Sequence, residues 1–260
     1  AHEHIRHKGF MFSVEPRAYL NNQDLVQSLK YIKTELLHGK PLDILAFDTC
    51  MGDVLEVAYQ VAPYAKYLVG NQSCSLRDGF DYQGVVGVLN QGLQPRQTTI
   101  EMVQVFNSYY TKYDASGIFT HAALDLTQVA TLSVALDAVV VQLLALPNAT
   151  DLIKKAQVEA PRFCLWPMYT DPVAFCKNIE KQVVQLSATP ITQSLLQAMH
   201  DFYEAMQTCV VARCGGWKTQ GKAYGCAIYL PACGGGIDNS YYATDFAQNL
   251  QWIKLLEQAN

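Results

Sequence analysis

Leu42-Asp43-Ile44-Leu45-Ala46-Phe47-Asp48-Thr49-Cys50-Met51-Gly52 is the stretch on which the reading of this chain turns. Its first half is almost continuously apolar, the pattern of a strand covered on both faces. Val54, Leu55, Val57, Ala58 and Val61 then recur at helical spacing, so a helix is expected from near Gly52. Cys50 thus lies past the carboxyl end of a buried strand and just before a helix. In open α/β sheets that edge is where ligands bind. A helix N-terminus also stabilises a thiolate. Position alone fits a nucleophilic cysteine, but it fits an inert one packed at the strand–helix corner better.

The flanking sequence repeats the alternation. Gly9 to Val14 reads as a strand, Asn21-Asn22 offers an N-cap, and Leu25, Val26, Leu29, Ile32, Leu36 and Leu37 form an apolar helical stripe. Gly39 stands where a C-terminal cap belongs. Lys66 to Gly70 is a further strand. This strand–helix–strand order predicts an α/β fold with right-handed crossovers and a mainly parallel central sheet. Beyond it, Thr99 to Tyr110 reads as helix, Ile118 to Leu126 as strand and Thr127 to Leu146 as a long apolar helix. Asp171-Pro172 starts another helix, Ile191 to Val211 is helical, Gly225 to Pro231 is a late strand, and Asp245 to Glu257 closes the chain as helix. The organisation expected is a core over residues 1–126 that carries the chemistry, and a helical region over 127–260 whose late strand, near 225–231, returns to the sheet.

With 260 residues, half of them hydrophobic and 16% charged, the chain can bury a large core and does not read as disordered. A net charge of −4 without a dense basic stretch leaves no footprint for nucleic acid. The longest apolar run, Val134 to Leu146, contains Asp137 and Gln142 and is too short to span a bilayer, so no membrane span is expected. Eight cysteines are an even number, but a chain of this size does not need staples, so their count does not fix a compartment. Cys209, Cys214, Cys226 and Cys233 match zinc spacing only loosely, and disulfides or simple burial suit them better. Three of the six histidines, His2, His4 and His7, cluster at the start of the chain, where they offer either a catalytic base or a metal site. His121 and His200 read as structural.

Phe47-Asp48-Thr49-Cys50-Met51, Val54 to Tyr59 and Tyr64 to Val69 closely resemble the nucleophile region of the clostripain family of cysteine peptidases. Asp78-Gly79-Phe80-Asp81-Tyr82, Ala122 to Leu126, Ala227 to Pro231 and Ser240 to Phe246 with Trp252 are similar to later signatures of that family. The resemblance implies a caspase-like α/β/α sandwich and a Cys–His dyad that cleaves after basic residues, Arg and also Lys, through a thioester. It implies that Cys50 is the nucleophile and that Asp48 lines the primary specificity pocket, with Asp78 as a second candidate. The family's His is preceded by a small residue and followed by Gly; Ala1-His2 fits the first half, which makes His2 the expected base and His4 the second choice. Glu3 then stands where the family has Gly, so its N–H would face the substrate oxyanion and its carboxylate would crowd it. That departure leaves a weakened or inactive homologue acting as a peptide-binding or scaffold module as the alternative. Asn71-Gln72-Ser73, where relatives are acidic, suggests a less acidic pocket. The family's sheet has strands before its His, so N-terminal strands are expected to be missing here. No cofactor is expected; calcium is implied only by some relatives, and no calcium-loop motif is present. The expected partner is a peptide or protein substrate, the expected location is secreted or periplasmic by resemblance, and the oligomeric state is left open.

Overall fold

The computed structural model describes residues 11–13, 18–76, 78–163 and 168–260. Its centre is a four-stranded sheet in the order β3-β4-β5-β7, formed by β3 (Leu42–Ala46), β4 (Ala65–Gly70), β5 (Thr120–Asp125) and β7 (Val210–Gly215). β3 and β4 run parallel, but β4–β5 and β5–β7 are antiparallel. The sheet is therefore mixed rather than mainly parallel. The reason is the β4–β5 connection: its helices α3 (Tyr82–Leu89) and α4 (Pro95–Tyr113) both follow β4, and β5 enters beside β4 in the opposite direction. The first two strands, β1 (Met11–Ser13) and β2 (Ala18–Leu20), pair with each other and not with β3. The residues around His2 lie outside the described residues.

The sheet separates two cores, and alternation along the strands sorts residues between them. On β4, Leu68 faces one core and Val69 the other; on β5, Leu124 and Ala123 divide the same way. The smaller core is made by α3 and α4, through Val88, Met102, Val103, Phe106 and Tyr110. The larger one gathers α2 (Leu55–Val61), α5 (Val129–Leu144), α6 (Ala149–Glu159), α7 (Pro172–Val183), α8 (Pro190–Cys209) and α10 (Trp252–Ala259). The layers are helix, sheet, helix. The second core draws on both halves of the chain: Leu55 and Ala58 of α2 pack in the same cluster as Leu136, Phe202 and Trp252. The stretch 126–144 has the length and composition of a membrane span. Its buried residues Val129, Leu132, Leu136, Val139, Val140 and Leu143 follow helical spacing toward the core, as a core helix requires.

The late strand β8 (Ile228–Tyr229) pairs with β6 (Tyr169–Thr170) rather than with the central sheet. Just before it, Ala227 meets the first half in a parallel bridge to Val54. The strand that does return to the sheet is β7, whose first two residues the sequence reads as the end of a helix. Glu56 reinforces the junction: its buried Oε1 accepts the Tyr229 N–H and the Tyr241 hydroxyl, each at 2.9 Å. Tyr241 and Trp252 are core residues as expected, whereas Tyr242 is 43% exposed.

Local chemistry explains the first helix, α1 (Asn22–Tyr31). Asn21 Oδ1 accepts the Asp24 N–H at 2.9 Å and Asp24 Oδ2 accepts the Asn21 N–H at 3.0 Å, a reciprocal capping box. The helix passes into a π-helical turn over Ile32–Leu36 and stops where His38 and Gly39 take φ of 50° and 85°.

Candidate active site

Past the carboxyl ends of β3 and β4 the chain forms two loops stitched side by side. The Phe47 N–H donates to Val69 O (2.8 Å), the Met51 N–H to Ser73 O (2.9 Å) and the Asp53 N–H to Asn71 O (3.1 Å). Gly52 sits so close that a Cβ there would lie 2.7 Å from Phe47 Cβ. Met51 takes a left-handed φ of 57°, a conformation that L residues other than Gly adopt sparingly. This tight turn lifts Cys50 out of the ladder and leaves it exposed. The helix expected from Gly52 begins only at Leu55, and the Leu55 N–H is taken by Ala227 O at 2.8 Å. The group presented to Cys50 is instead a loop amide: the Ser75 N–H lies 3.3 Å from Cys50 Sγ. Sequence reasoning had no signal for this donor, 25 residues downstream.

Asp48 is half-buried and has a defined set of donors. Tyr82 Oη donates to Oδ2 at 2.6 Å and the Phe80 N–H donates to the same oxygen at 3.2 Å. Ser75 Oγ is 3.4 Å from Oδ1. Ser75 thus touches both the cysteine and the carboxylate. The 78–82 loop that supplies these donors is shaped by Gly79 at φ 65°, and a Cβ on it would meet Asp48 Oδ2 at 2.3 Å. Hydrogen bonding to the Asp48 carboxylate raises the Tyr82 phenol above its usual pKa, so it remains a donor at neutral pH. Asp78 is exposed on that loop, with the Tyr109 hydroxyl 3.4 Å from its Oδ2. The stretch Asp78 to Tyr82 stood out in the sequence, but not as the source of the carboxylate's donors.

Asn71, Gln72 and Ser73 are buried. Asn71 Oδ1 is 2.8 Å from His121 Nδ1, Gln72 Nε2 donates to Asp171 Oδ2 at 2.6 Å, and the Ser73 N–H donates to Thr120 Oγ1 at 2.9 Å. These contacts fasten the loop from beneath. His121 is stacked on Phe106 with centroids 4.0 Å apart, and burial lowers its pKa to about 3, so it is a neutral anchor rather than a base. His200 is exposed on α8 near Asp201 and Glu204, and His38 precedes β3 at the end opposite Cys50. None of these three histidines is hydrogen-bonded to Cys50. His2, His4, His7 and Glu3 lie outside the described residues.

The remaining cysteines behave differently. Cys74 is disulfide-bonded. Cys209, Cys214, Cys226 and Cys233 are free thiols, and three of them reach unrelated acceptors: Asp125 O, Val103 O and Gln157 Oε1 for Cys209, Cys214 and Cys233. They do not converge as a zinc site would. Burial raises Cys209 and Cys214 to about 12, which keeps them protonated at neutral pH. Among the described residues, the one cluster able to share a metal ion is His200, Asp201 and Glu204, all exposed.

The sequence profile of the clostripain family matches residues 14–258. The chain belongs to this family of cysteine peptidases. Its fold is shared with solved relatives. A Bacteroides fragilis cysteine protease is 18% identical with a TM-score of 0.68, over 93% of this chain and 97% of that one. A clostripain from Bacteroides thetaiotaomicron, solved with the peptide inhibitor BTN-VLTK-AOMK, is 14% identical with a TM-score of 0.64, over 92% and 97%. A secreted C11 cysteine protease from the same organism, solved with an irreversible peptide inhibitor, is 16% identical with a TM-score of 0.64, over 93% and 64%. Curated proteins yield no match. In this clostripain-family chain the caspase-like layering expected from the resemblance is present, and Cys50 and Asp48 lie on the loop after β3.

Proposed function

We propose that the chain is an endopeptidase that cleaves after Arg or Lys, with Cys50 as nucleophile and Asp48 at the base of the pocket for the basic side chain. The observation that carries this reading is the shared loop. An exposed thiol lies two residues from a carboxylate, and one residue, Ser75, contacts both. In the reaction the Cys50 thiolate attacks the scissile carbonyl carbon, and the C–S bond forms as the carbonyl electrons move to oxygen. Backbone N–H groups, that of Cys50 among them, stabilise the oxyanion. The C–N bond then breaks, the amine leaves with a proton from an imidazole, and water hydrolyses the thioester. The imidazole is assigned to His2, with His4 second and His7 third, by the family pattern of a small residue before the His; among the described residues, His38, His121 and His200 are placed or engaged elsewhere. Glu3, following His2, is assigned to the substrate side. Asp78 adds negative charge beside the pocket. The Lys-terminated inhibitor bound by the Bacteroides thetaiotaomicron relative supports a basic side chain in this position. No step is assigned to calcium. The Cys74 disulfide and the secreted relative support an oxidising, extracytoplasmic location.

Fluorogenic peptides ending in Arg, Lys or Ala test this on wild type and Cys50→Ala. Hydrolysis of the basic pair alone, abolished in Cys50→Ala, is the expected result. Binding without turnover, and no labelling of Cys50 by a basic acyloxymethylketone, would mark the chain as a binding module instead. His2→Ala and His4→Ala compared in the same assay separate the two bases.

A further inference from the structure

The two oxygens of Asp48 are not equivalent. Oδ2 accepts Tyr82 Oη at 2.6 Å and the Phe80 N–H at 3.2 Å. Two donors fill the two lone pairs of that oxygen. Gly79 closes over it as well, since even a methyl group there would lie 2.3 Å away. Oδ1 has one partner among the described residues, Ser75 Oγ, at the long distance of 3.4 Å. That oxygen lies toward Ser75, and so toward the Cys50 side of the loop. The carboxylate is held by one oxygen and presents the other.

Arginine and lysine ask different things of a carboxylate. A guanidinium gains most from a fork of two parallel N–H···O bonds, one to each oxygen. An ammonium is a compact charge and is satisfied by one oxygen plus hydroxyls or water. Here Oδ1 and the Ser75 hydroxyl offer such a site. A guanidinium would engage only one oxygen, or would have to displace the Tyr82 hydroxyl from a short charge-assisted bond.

We infer that the pocket takes lysine in preference to arginine, and that Tyr82 sets this preference by occupying the carboxylate oxygen that a guanidinium fork needs. The inference rests on the reading of Asp48 as the pocket base. Tyr82 is 60% exposed, so its hydroxyl can be removed without disturbing the core.

The test uses matched fluorogenic peptides that differ only in a terminal Lys or Arg, with kcat and KM determined for the full chain and for Tyr82→Phe. In wild type, kcat/KM for Lys should exceed that for Arg by roughly tenfold, the scale of one charge-assisted hydrogen bond. In Tyr82→Phe the ratio should fall to near one or invert, with most of the change in KM for Arg. Rates of Cys50 labelling by Lys and Arg acyloxymethylketones give the same comparison without turnover. Arg equal to or better than Lys in wild type, or a ratio unmoved by Tyr82→Phe, overturns the preference and leaves the peptidase reading standing. No turnover and no labelling with either reagent overturns both.

Discussion

Asp48 and Asp171 are two carboxylates of one loop system, each with three donors, and they show how environment divides labour between identical groups. Asp171 is fully buried at the N-cap of α7; it accepts the Ala174 N–H at 3.0 Å, the Tyr224 N–H at 2.6 Å and Gln72 Nε2 at 2.6 Å. Those donors come from three separate segments, so Asp171 is a knot that ties the loop after β4 to α7 and to the strand-side segment near Tyr224. Asp48 takes its donors from the neighbouring 75–82 segment, is half-exposed, and keeps one oxygen nearly free. A carboxylate whose lone pairs are shared out on both oxygens builds structure, and one that keeps an oxygen available can receive a ligand.

Substitution separates the two. Asp48→Ala should cut kcat/KM on basic peptides by roughly a hundredfold or more, the scale of stranding a paired charge, while the melting temperature moves little. Asp171→Ala should do the reverse. Its three buried donors lose their acceptor, for a loss of about 3 kcal/mol, or roughly 5–10 °C in melting temperature. Calorimetry and steady-state kinetics on the same two variants decide the matter, and equal thermal losses would erase the contrast.

A smaller effect should appear with pH. Burial raises Asp171 to about 6, so the folded state takes up a proton that the unfolded chain does not, and stability is gained as pH falls from 6 toward 4. His121, lowered to about 3, acts oppositely: below about 6.5 the unfolded chain binds the proton first, so stability is lost as pH falls. Between pH 7.5 and 5 the histidine contributes a loss of about 2 kcal/mol and the aspartate a gain of about 1 kcal/mol; Asp53 and Asp137, both raised by burial, add gains of the same sign as Asp171. Denaturant titrations at the two pH values test this. Relative to wild type, Asp171→Asn should shift toward losing stability on going to pH 5, and His121→Gln toward gaining it.

What could be read from the sequence was local. The apolar run of β3, the Asn21 cap, the Asp171-Pro172 start of α7 and the loop that exposes Cys50 were all legible, because strand alternation, capping and signature motifs act over a few residues. Strand direction was not, since whether β5 lies parallel or antiparallel to β4 depends on how α3 and α4 pack. β7 was hidden because α8 ends at Cys209 without a Gly or Pro and runs straight into Val210. The partners of the site were hidden too. The donors on Asp48 come from up to 34 positions downstream, and the roles of Asn71 and Gln72 depend on His121 and Asp171, which only the fold brings beneath them.

Gly79 has the last consequence. Its positive φ and its contact with Asp48 mean that no side chain can be introduced at 79 while the carboxylate keeps its place. An evolutionary lineage that exchanged the acid for another residue would release that constraint, but one that altered the glycine first would lose the acid's position in the same step. The acid and the glycine are therefore coupled in one order, carboxylate before glycine, whereas Tyr82, 60% exposed, can vary on its own.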